Sequence, residues 1–95
     1  MIIVTDRAAE ALGQIRLMHG AHPCQGVRLV MGGLGRIGMT IDTARDTDEV
    51  IRQDGVLLLI LDVSLASRLA RSKIDCSTVV VGSSSRTEFL VAPAA

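Results

Sequence analysis

One short segment of the chain holds three side chains that can ligate a transition metal. His19, His22 and Cys24 form the pattern H-x₂-H-x-C, and Pro23 stiffens the run. Imidazole nitrogens and a thiolate are ligands for zinc and other transition metals. A fourth ligand would have to be a carboxylate, a water or a residue of a neighbouring subunit. The alternative interpretation is a polar surface loop in which the three side chains are solvated.

A glycine-rich segment farther along matches the dinucleotide-binding pattern G-x-G-x-x-G at Gly33, Gly35 and Gly38. It follows a strand-like run, and Asp62 lies where a ribose-binding acid is expected. In such sites the pyrophosphate rests on the N-terminal amides of a helix that opens at the motif. Residues 39–43 alternate with period two, which predicts a strand instead. Nucleotide binding therefore ranks behind the other hypotheses, and the glycines are interpreted as a turn that needs positive φ.

The second cysteine and two arginines complete the set of reactive or charged candidates. Cys76 lies in an apolar run and is interpreted as a small buried hydrophobe, so Cys24 is predicted to be the more exposed thiol. Arg28 and Arg36 could bind an anion at the glycine-rich segment or form salt bridges. Two cysteines are too few for a disulfide framework, which favours a reduced, cytoplasmic protein.

The composition argues against several classes of partner. The 95 residues carry ten basic and ten acidic side chains, so the formal net charge is zero, and Phe89 is the only aromatic residue. A neutral chain with a single aromatic residue for base stacking is not expected to bind nucleic acid or an anionic membrane. No segment reaches the ~20 apolar residues of a membrane span, and the start does not resemble a signal peptide. We expect a single domain, 1–95, whose modest core favours a homodimer.

The hydropathy pattern predicts a mainly β domain with an N-terminal helix. Apolar residues recur at helical spacing from Ala8 to Met18, Thr5 or Asp6 caps the helix, and Gly20 ends it. Strands are predicted at 2–4, 27–31, 37–42, 50–51, 56–61, 74–81 and 87–91, with a short helix after Asp62. The aspartate-rich segment 43–54 is expected to be mostly a solvated loop, and residues 92–95 a frayed end.

In this order the segments resemble the HesB-like, or A-type, iron–sulfur cluster carrier family over almost the whole chain. The matching segments are I-V-T-D-R-A-A from Ile3, G-V-R-L from Gly26, L-G-R-I-G-M from Leu34, D-G-V from Asp54 with Asp62, I-D at Ile74, and F-L-V-A-P-A from Phe89. The resemblance implies a HesB-like pseudo-barrel of about seven short strands with an N-terminal helix. It also implies a role in iron–sulfur cluster biogenesis.

The resemblance does not extend to the family's ligands. Three cysteine thiolates hold the cluster in the family, one in the hairpin loop and a C-G-C pair in a C-terminal tail. Here Arg36 stands at the loop cysteine position, between Gly35 and Gly38, and no C-G-C pair follows Pro93. A guanidinium is a cation with no acceptor atom for iron. The match to the family's loop therefore consists of Gly35, Arg36 and Gly38, and none of these residues supplies a cluster ligand.

The expected function is a non-enzymatic binding or scaffold module, a degenerate member of this family that does not ligate a cluster in the family's way. No cofactor is expected, and its partners would be a second copy and iron–sulfur assembly proteins. The alternative is a small metal-binding protein that uses His19, His22 and Cys24.

Overall fold

The computed structural model describes residues 2–31 and 37–93, which form seven strands and two helices. In chain order they are β1 (Ile3–Val4), α1 (Asp6–Met18), β2 (Gln25–Met31), β3 (Ile37–Thr43), β4 (Glu49–Gln53), β5 (Val56–Leu61), α2 (Val63–Arg68), β6 (Ser72–Val81) and β7 (Ser84–Pro93). The predicted fold class, mainly β with an N-terminal helix, is confirmed. Within these residues neither helix has the length and hydropathy that crossing a membrane requires.

The described strands form two open sheets and do not close into a single hydrogen-bonded barrel. One sheet has the strand order β1-β6-β7, and the other has the order β3-β2-β5-β4. β2 pairs antiparallel with β3 and parallel with β5, so it lies in the middle of the four-stranded sheet. The paired residues of the β2–β3 hairpin, 25–31 and 37–43, form its stem. This stem is held in place because β2 is a central strand.

The core is made by apolar residues from both helices and both sheets. Its centre is β5, whose residues Leu57 to Leu61 are at most 4% exposed. The uninterrupted apolar run of this strand predicts burial on both faces, and the structure confirms it. Side chains of Leu12 in α1, Val27 in β2 and Ile74 in β6 join the same buried cluster.

The first helix begins as predicted and ends outside the core. The Oγ1 atom of Thr5 accepts a hydrogen bond from the backbone N–H of Ala8 at 3.2 Å, and Gly20 follows the helix with φ +63°. The buried residues of α1 are Ala8, Ala9 and Leu12. The prediction that Met18 faces the core is wrong: it is 79% exposed, because the last turn of α1 extends past the packed residues.

The strands β6 and β7 form a long hairpin with one uninterrupted register. Pairing runs from Ser72 opposite Pro93 to Val81 opposite Ser84. Residues 92 and 93 were expected to fray, and this is wrong because both are paired with β6. Gly82 turns the chain with φ +64°.

Candidate functional site

The hairpin β2–β3 contains the glycine-rich segment in which the sequence predicts a functional site. Its pairs run from Gln25 opposite Thr43 to Met31 opposite Ile37. Met31, Ile37 and Met39 are partly buried against the core, so the stem is anchored by packing. The predicted site residues Gly33, Gly35 and Arg36 lie outside the described residues, and their roles stay predictions.

Gly38 lies in β3 opposite Val30 and is exposed. The expectation of positive φ fails here, because the glycines with positive φ in the described part of the chain are Gly20, Gly55 and Gly82. A Cβ atom built on Gly38 would meet only the Val30 carbonyl oxygen, at an ordinary 3.8 Å. Neither backbone strain nor crowding therefore requires glycine at this position.

A dinucleotide-binding fingerprint requires a helix after its glycines, and a strand follows them here. Ile37 to Thr43 is strand β3, so no helix opens there to place its amides under a pyrophosphate. The Oδ1 atom of Asp62 accepts the backbone N–H of Leu65 at 2.7 Å, and this carboxylate thus caps α2.

An ion-pair network lies at the base of the same stem. The Arg28 side chain is 11% exposed and donates through Nε to Oδ2 of Asp42 at 2.6 Å. Its two Nη atoms donate to Oδ1 and Oδ2 of Asp48 at 3.1 and 2.6 Å, which is a bidentate pair. The Asp48 side chain is only 3% exposed and also accepts the backbone N–H of Arg45 at 2.7 Å. The network fixes the β3–β4 connection to the central strand.

These contacts set the charge of all three side chains. The bidentate hydrogen bond from Arg28, helped by the backbone N–H of Arg45, lowers the pKa of Asp48 to about 2. Arg28 and the backbone N–H of Thr43 lower the pKa of Asp42, and the hydrogen bonds that Arg28 donates to Asp48 raise the pKa of Arg28. Arg28 is therefore engaged in salt bridges and is not available for the predicted anion site. The expectation of a solvated acidic loop is wrong for Asp48, whose side chain is almost fully buried.

A second carboxylate joins the helix cap to the other sheet. Oδ1 of Asp75 in β6 accepts the Thr5 hydroxyl at 2.6 Å, and Oδ2 accepts an Arg7 Nη atom at 2.7 Å. The Thr5 hydroxyl, Arg7 and the backbone N–H of Cys76 together lower the pKa of Asp75 to about 2. Asp75 lies within β6, in agreement with the strand predicted over 74–81. Its bonds are structural.

The three predicted metal ligands lie in the turn between α1 and β2. His19 follows the last residue of α1 and lines a cavity of about 480 Å³ together with Ile15 and Met39, and all three predicted ligands are exposed. The Arg16 guanidinium donates to the backbone carbonyls of His22 and Gln25 and so holds the turn. In residues 2–31 and 37–93 no three His, Cys, Asp or Glu side chains come together as a metal site. The turn therefore carries the three candidate ligands without arranging them around a common point.

The two cysteines are placed as the sequence predicts. Cys24 is exposed, whereas Cys76 is 7% exposed and lies opposite Phe89 in the β6–β7 pairing. They belong to different parts of the fold, since β2 and β6 are in different sheets.

A cavity of about 290 Å³ lies beside the hairpin stem, where β2 meets α2. Its lining includes Arg28 and Met31 from β2, together with Arg45, Asp62 and Arg68. No ion pair forms at Arg45 or Arg68 within the part of the chain that the structure describes. This surface is polar and charged, and it adjoins the end of β2 that leads to residues 32–36.

Comparison with known proteins gives matches among solved structures. No protein-family model matches the chain, and no curated protein does. SufA from Escherichia coli, a protein involved in the biosynthesis of iron–sulfur clusters, has a TM-score of 0.62 at 20% identity, over 99% of this chain and 87% of SufA. IscA with a [2Fe–2S] cluster has a TM-score of 0.55 at 15% identity, over 95% of this chain and 84% of IscA.

A third structure, of a protein from Aquifex aeolicus, has a TM-score of 0.56 at 22% identity, over 92% of this chain and 89% of that protein. At such identities the likeness is evidence of fold. It extends along nearly the whole chain. The chain has the fold of the A-type iron–sulfur cluster carriers.

Proposed function

We propose that this protein is a non-enzymatic binding or scaffold module in iron–sulfur cluster biogenesis that does not ligate a cluster through the thiolates used in the carrier family. The observation that carries the proposal is a mismatch between fold and ligands. The fold likeness to SufA spans 99% of the chain, yet the only two cysteines of the sequence, Cys24 and Cys76, are not among residues 32–36, which join β2 to β3.

The position of Cys24 supports this separation. It precedes Gln25, the first residue of β2, whereas residues 32–36 follow Met31 at the other end of that strand. A seven-residue strand rises about 3.3 Å per residue, so roughly 20 Å separate Cys24 from the loop end. A thiolate–iron bond is only about 2.3 Å long if it resembles the zinc–thiolate bond. Cys24 therefore lies much farther than one ligand bond from Met31, the end of β2 that leads to residues 32–36.

Cys76 is separated from the loop by both burial and topology. Its side chain belongs to β6 in the three-stranded sheet, whereas residues 32–36 connect β2 and β3 of the four-stranded sheet. A thiol that is 7% exposed has little access to iron or sulfide in solution. With Arg36 at the loop position, the family's ligand set has no thiolate in this hairpin.

Binding to an assembly protein is the activity that this proposal predicts. The assay is isothermal titration of the purified chain with a scaffold protein that carries a [2Fe–2S] cluster, and with its apo form. Val30 is 45% exposed on β2, beside the cavity at the stem, so Val30→Arg should weaken binding. Leu17→Arg is the matched control, because Leu17 is 76% exposed at the far end of α1.

The expected result is binding by the wild type, weaker binding by V30R and unchanged binding by L17R. Absence of binding to cluster-loaded and apo assembly proteins alike would argue against a role in cluster biogenesis. Equal weakening by V30R and L17R would mean that the stem is not the contact surface.

Metal binding through His19, His22 and Cys24 is a separate hypothesis with its own test. Zinc titration of the wild type and His22→Ala compares the two hypotheses directly. Our proposal predicts equal, weak affinities, because the three side chains share a turn without converging. Tight zinc binding that H22A abolishes would favour the metal-binding function instead.

A further inference from the structure

The outer half of the β6–β7 hairpin forms an arm with two open edges. β1 pairs with β6 only at Lys73 and Ile74, so from Asp75 to Val81 the described partner of β6 is β7 alone. The other edge of β7 has no partner strand in the described part of the chain. Isolated two-stranded hairpins are marginally stable in water, so further pairing would stabilise the arm.

The arm also exposes apolar side chains. Val80 is 70% exposed and Val81 is 64% exposed near its tip, and Leu90 is 51% exposed on β7. Proteins usually protect an edge strand with charged side chains, above all lysine, with a β-bulge or with proline. β7 has ten residues, no lysine, no register shift against β6, and a proline only at Pro93, and its charged side chains are the opposite pair Arg86 and Glu88. The edge of β7 is thus a long and regular pairing surface.

We propose that β7 pairs antiparallel with β7 of a second copy of this chain, about a two-fold axis at Thr87. The two three-stranded sheets then join into one six-stranded sheet. The axis follows from the charges on β7: Arg86 and Glu88 are two residues apart and so lie on the same face. Centring the pairing on Thr87 places Arg86 opposite the partner's Glu88, and symmetry repeats the contact.

Neighbouring registers are disfavoured by the same two charges. An axis at Arg86 would place two arginines opposite each other, and an axis at Glu88 would oppose two glutamates. An axis at Phe89 would place Glu88 opposite the partner's Leu90. Like charges directly opposite in a sheet are destabilising, and opposite charges are stabilising. Thr87 is the axis that pairs both charges of β7 with opposite charges.

The Arg86–Glu88 pair is suited to such a contact. Within one chain, an Arg86 Nη atom lies 2.9 Å from Oε1 of Glu88, and the two side chains are 70% and 42% exposed. The guanidinium has five donors and keeps several of them free while it holds one carboxylate. In the dimer each Arg86 would lie between its own Glu88 and the partner's Glu88.

A second copy of this chain is favoured over a different protein as the partner of the β7 edge, because the charge pattern of β7 is complementary to itself. A two-fold axis places the same surface of both copies in contact. The opposite charges of Arg86 and Glu88 therefore form two contacts, one on each side of the axis. The other edge strands are less suited: β4 has five residues and a register shift between Ile51 and Arg52. The β3 edge borders the stem described above.

Charge reversal with rescue tests this interface. Sedimentation equilibrium would be measured on the full chain over a range of concentrations, for the wild type, Arg86→Glu, Glu88→Arg and the double variant R86E/E88R. Arg52→Glu on β4 is the control for the general effect of a charge reversal on an edge strand. Circular dichroism of each variant would check that the chain remains folded.

The wild type should approach twice the 10.1 kDa of one chain. Each single reversal converts two attractive cross-strand contacts into two repulsive ones, which should raise the dimer Kd about 30-fold. The double variant should recover the wild-type Kd, because the same register again opposes unlike charges, and R52E should leave it unchanged.

A monomeric wild type at all attainable concentrations would overturn the proposal. So would a dimer that withstands R86E, or one that the double variant fails to restore. Association with a different protein through β7, without self-association, would assign the edge to another partner and also contradict it. These outcomes do not depend on iron or sulfide, so they are distinct from the test of the proposed function.

Discussion

The buried arginine of the central strand gives the sharpest stability prediction. Arg28→Met keeps an unbranched side chain of similar length in β2 and removes the guanidinium. Asp48, whose side chain is 3% exposed, then loses both bidentate hydrogen bonds and its counter-charge. Removing one partner of a buried ion pair typically costs about 3–5 kcal/mol.

The cost of Arg28→Met should lie at the lower end of this range of free energies. Asp48 would keep the backbone N–H of Arg45, and Asp42 is 34% exposed and can be solvated. We therefore expect Arg28→Met to lower the free energy of unfolding by about 3 kcal/mol, which corresponds to a fall in Tm of about 15 °C in a domain of this size. Arg28→Lys keeps the charge without the bidentate geometry and should lose about half as much.

Urea unfolding followed by circular dichroism at pH 7 measures these differences. Arg52→Met is the matched control, since Arg52 is an exposed arginine on an edge strand, and such a change is usually within about 0.5 kcal/mol. The reasoning would be refuted if R28M were no less stable than R52M. A double-mutant cycle with Asp48→Asn should show coupling, because removing both charges leaves no unpaired buried ion.

The same network predicts the direction of the pH dependence. The pKa of Asp48 is about 2 in the folded protein against an ordinary value of 3.8, so its contribution is present above the ordinary value and is lost as the pH falls towards 2. The stability difference between the wild type and R28M should therefore narrow between about pH 4 and pH 2. A difference that stays constant over this range would contradict the assigned ion pair.

Three further predictions concern glycines and cysteines. Gly26→Ala should destabilise the protein by about 1–3 kcal/mol, because a Cβ atom would lie 2.9 Å from Cγ and 3.2 Å from the carbonyl oxygen of Leu57; stability equal to the wild type would refute this contact. Gly13→Ala should stabilise it by about 0.5–1 kcal/mol, since a Cβ atom meets nothing within 4 Å in the interior of α1; urea midpoints measure both. Under native conditions iodoacetamide should modify Cys24 and spare Cys76, which mass spectrometry of the intact and digested chain can show; equal labelling would contradict the burial of Cys76.

The elements that could be predicted from the sequence are those set by local pattern. The apolar run of β5 predicts a strand covered on both faces, and Asp62 before Leu65 predicts the cap of α2. Alternation on both sides of the glycine segment predicts the hairpin β2–β3. Each of these features depends on residues within a few positions of one another.

What could not be predicted depends on contacts between distant segments. The link from Arg28 to Asp48 joins residues 20 positions apart, and the link from Thr5 to Asp75 joins residues 70 positions apart. The only local signal for the first was a single arginine inside an apolar strand. Met18 continues the helical stripe in sequence, but its exposure depends on where the sheets end.

The most direct test of the account is reconstitution with iron and sulfide under anaerobic conditions. The chain would be incubated with ferrous iron and sulfide, desalted, and analysed for iron, acid-labile sulfide and visible absorption. Matched samples would be C24S/C76S, which removes both thiols of the sequence, and Arg36→Cys, which restores a thiolate at the family's loop position.

We predict a colourless wild-type protein with no stoichiometric iron or sulfide, and no change in C24S/C76S. R36C should bind more iron than the wild type, because it adds a ligand where the family has one. A stable chromophore in the wild type that C24S/C76S abolishes would show that these cysteines ligate a cluster by another geometry. A chromophore that persists in C24S/C76S would contradict the claim that the scaffold is retained without cluster ligation.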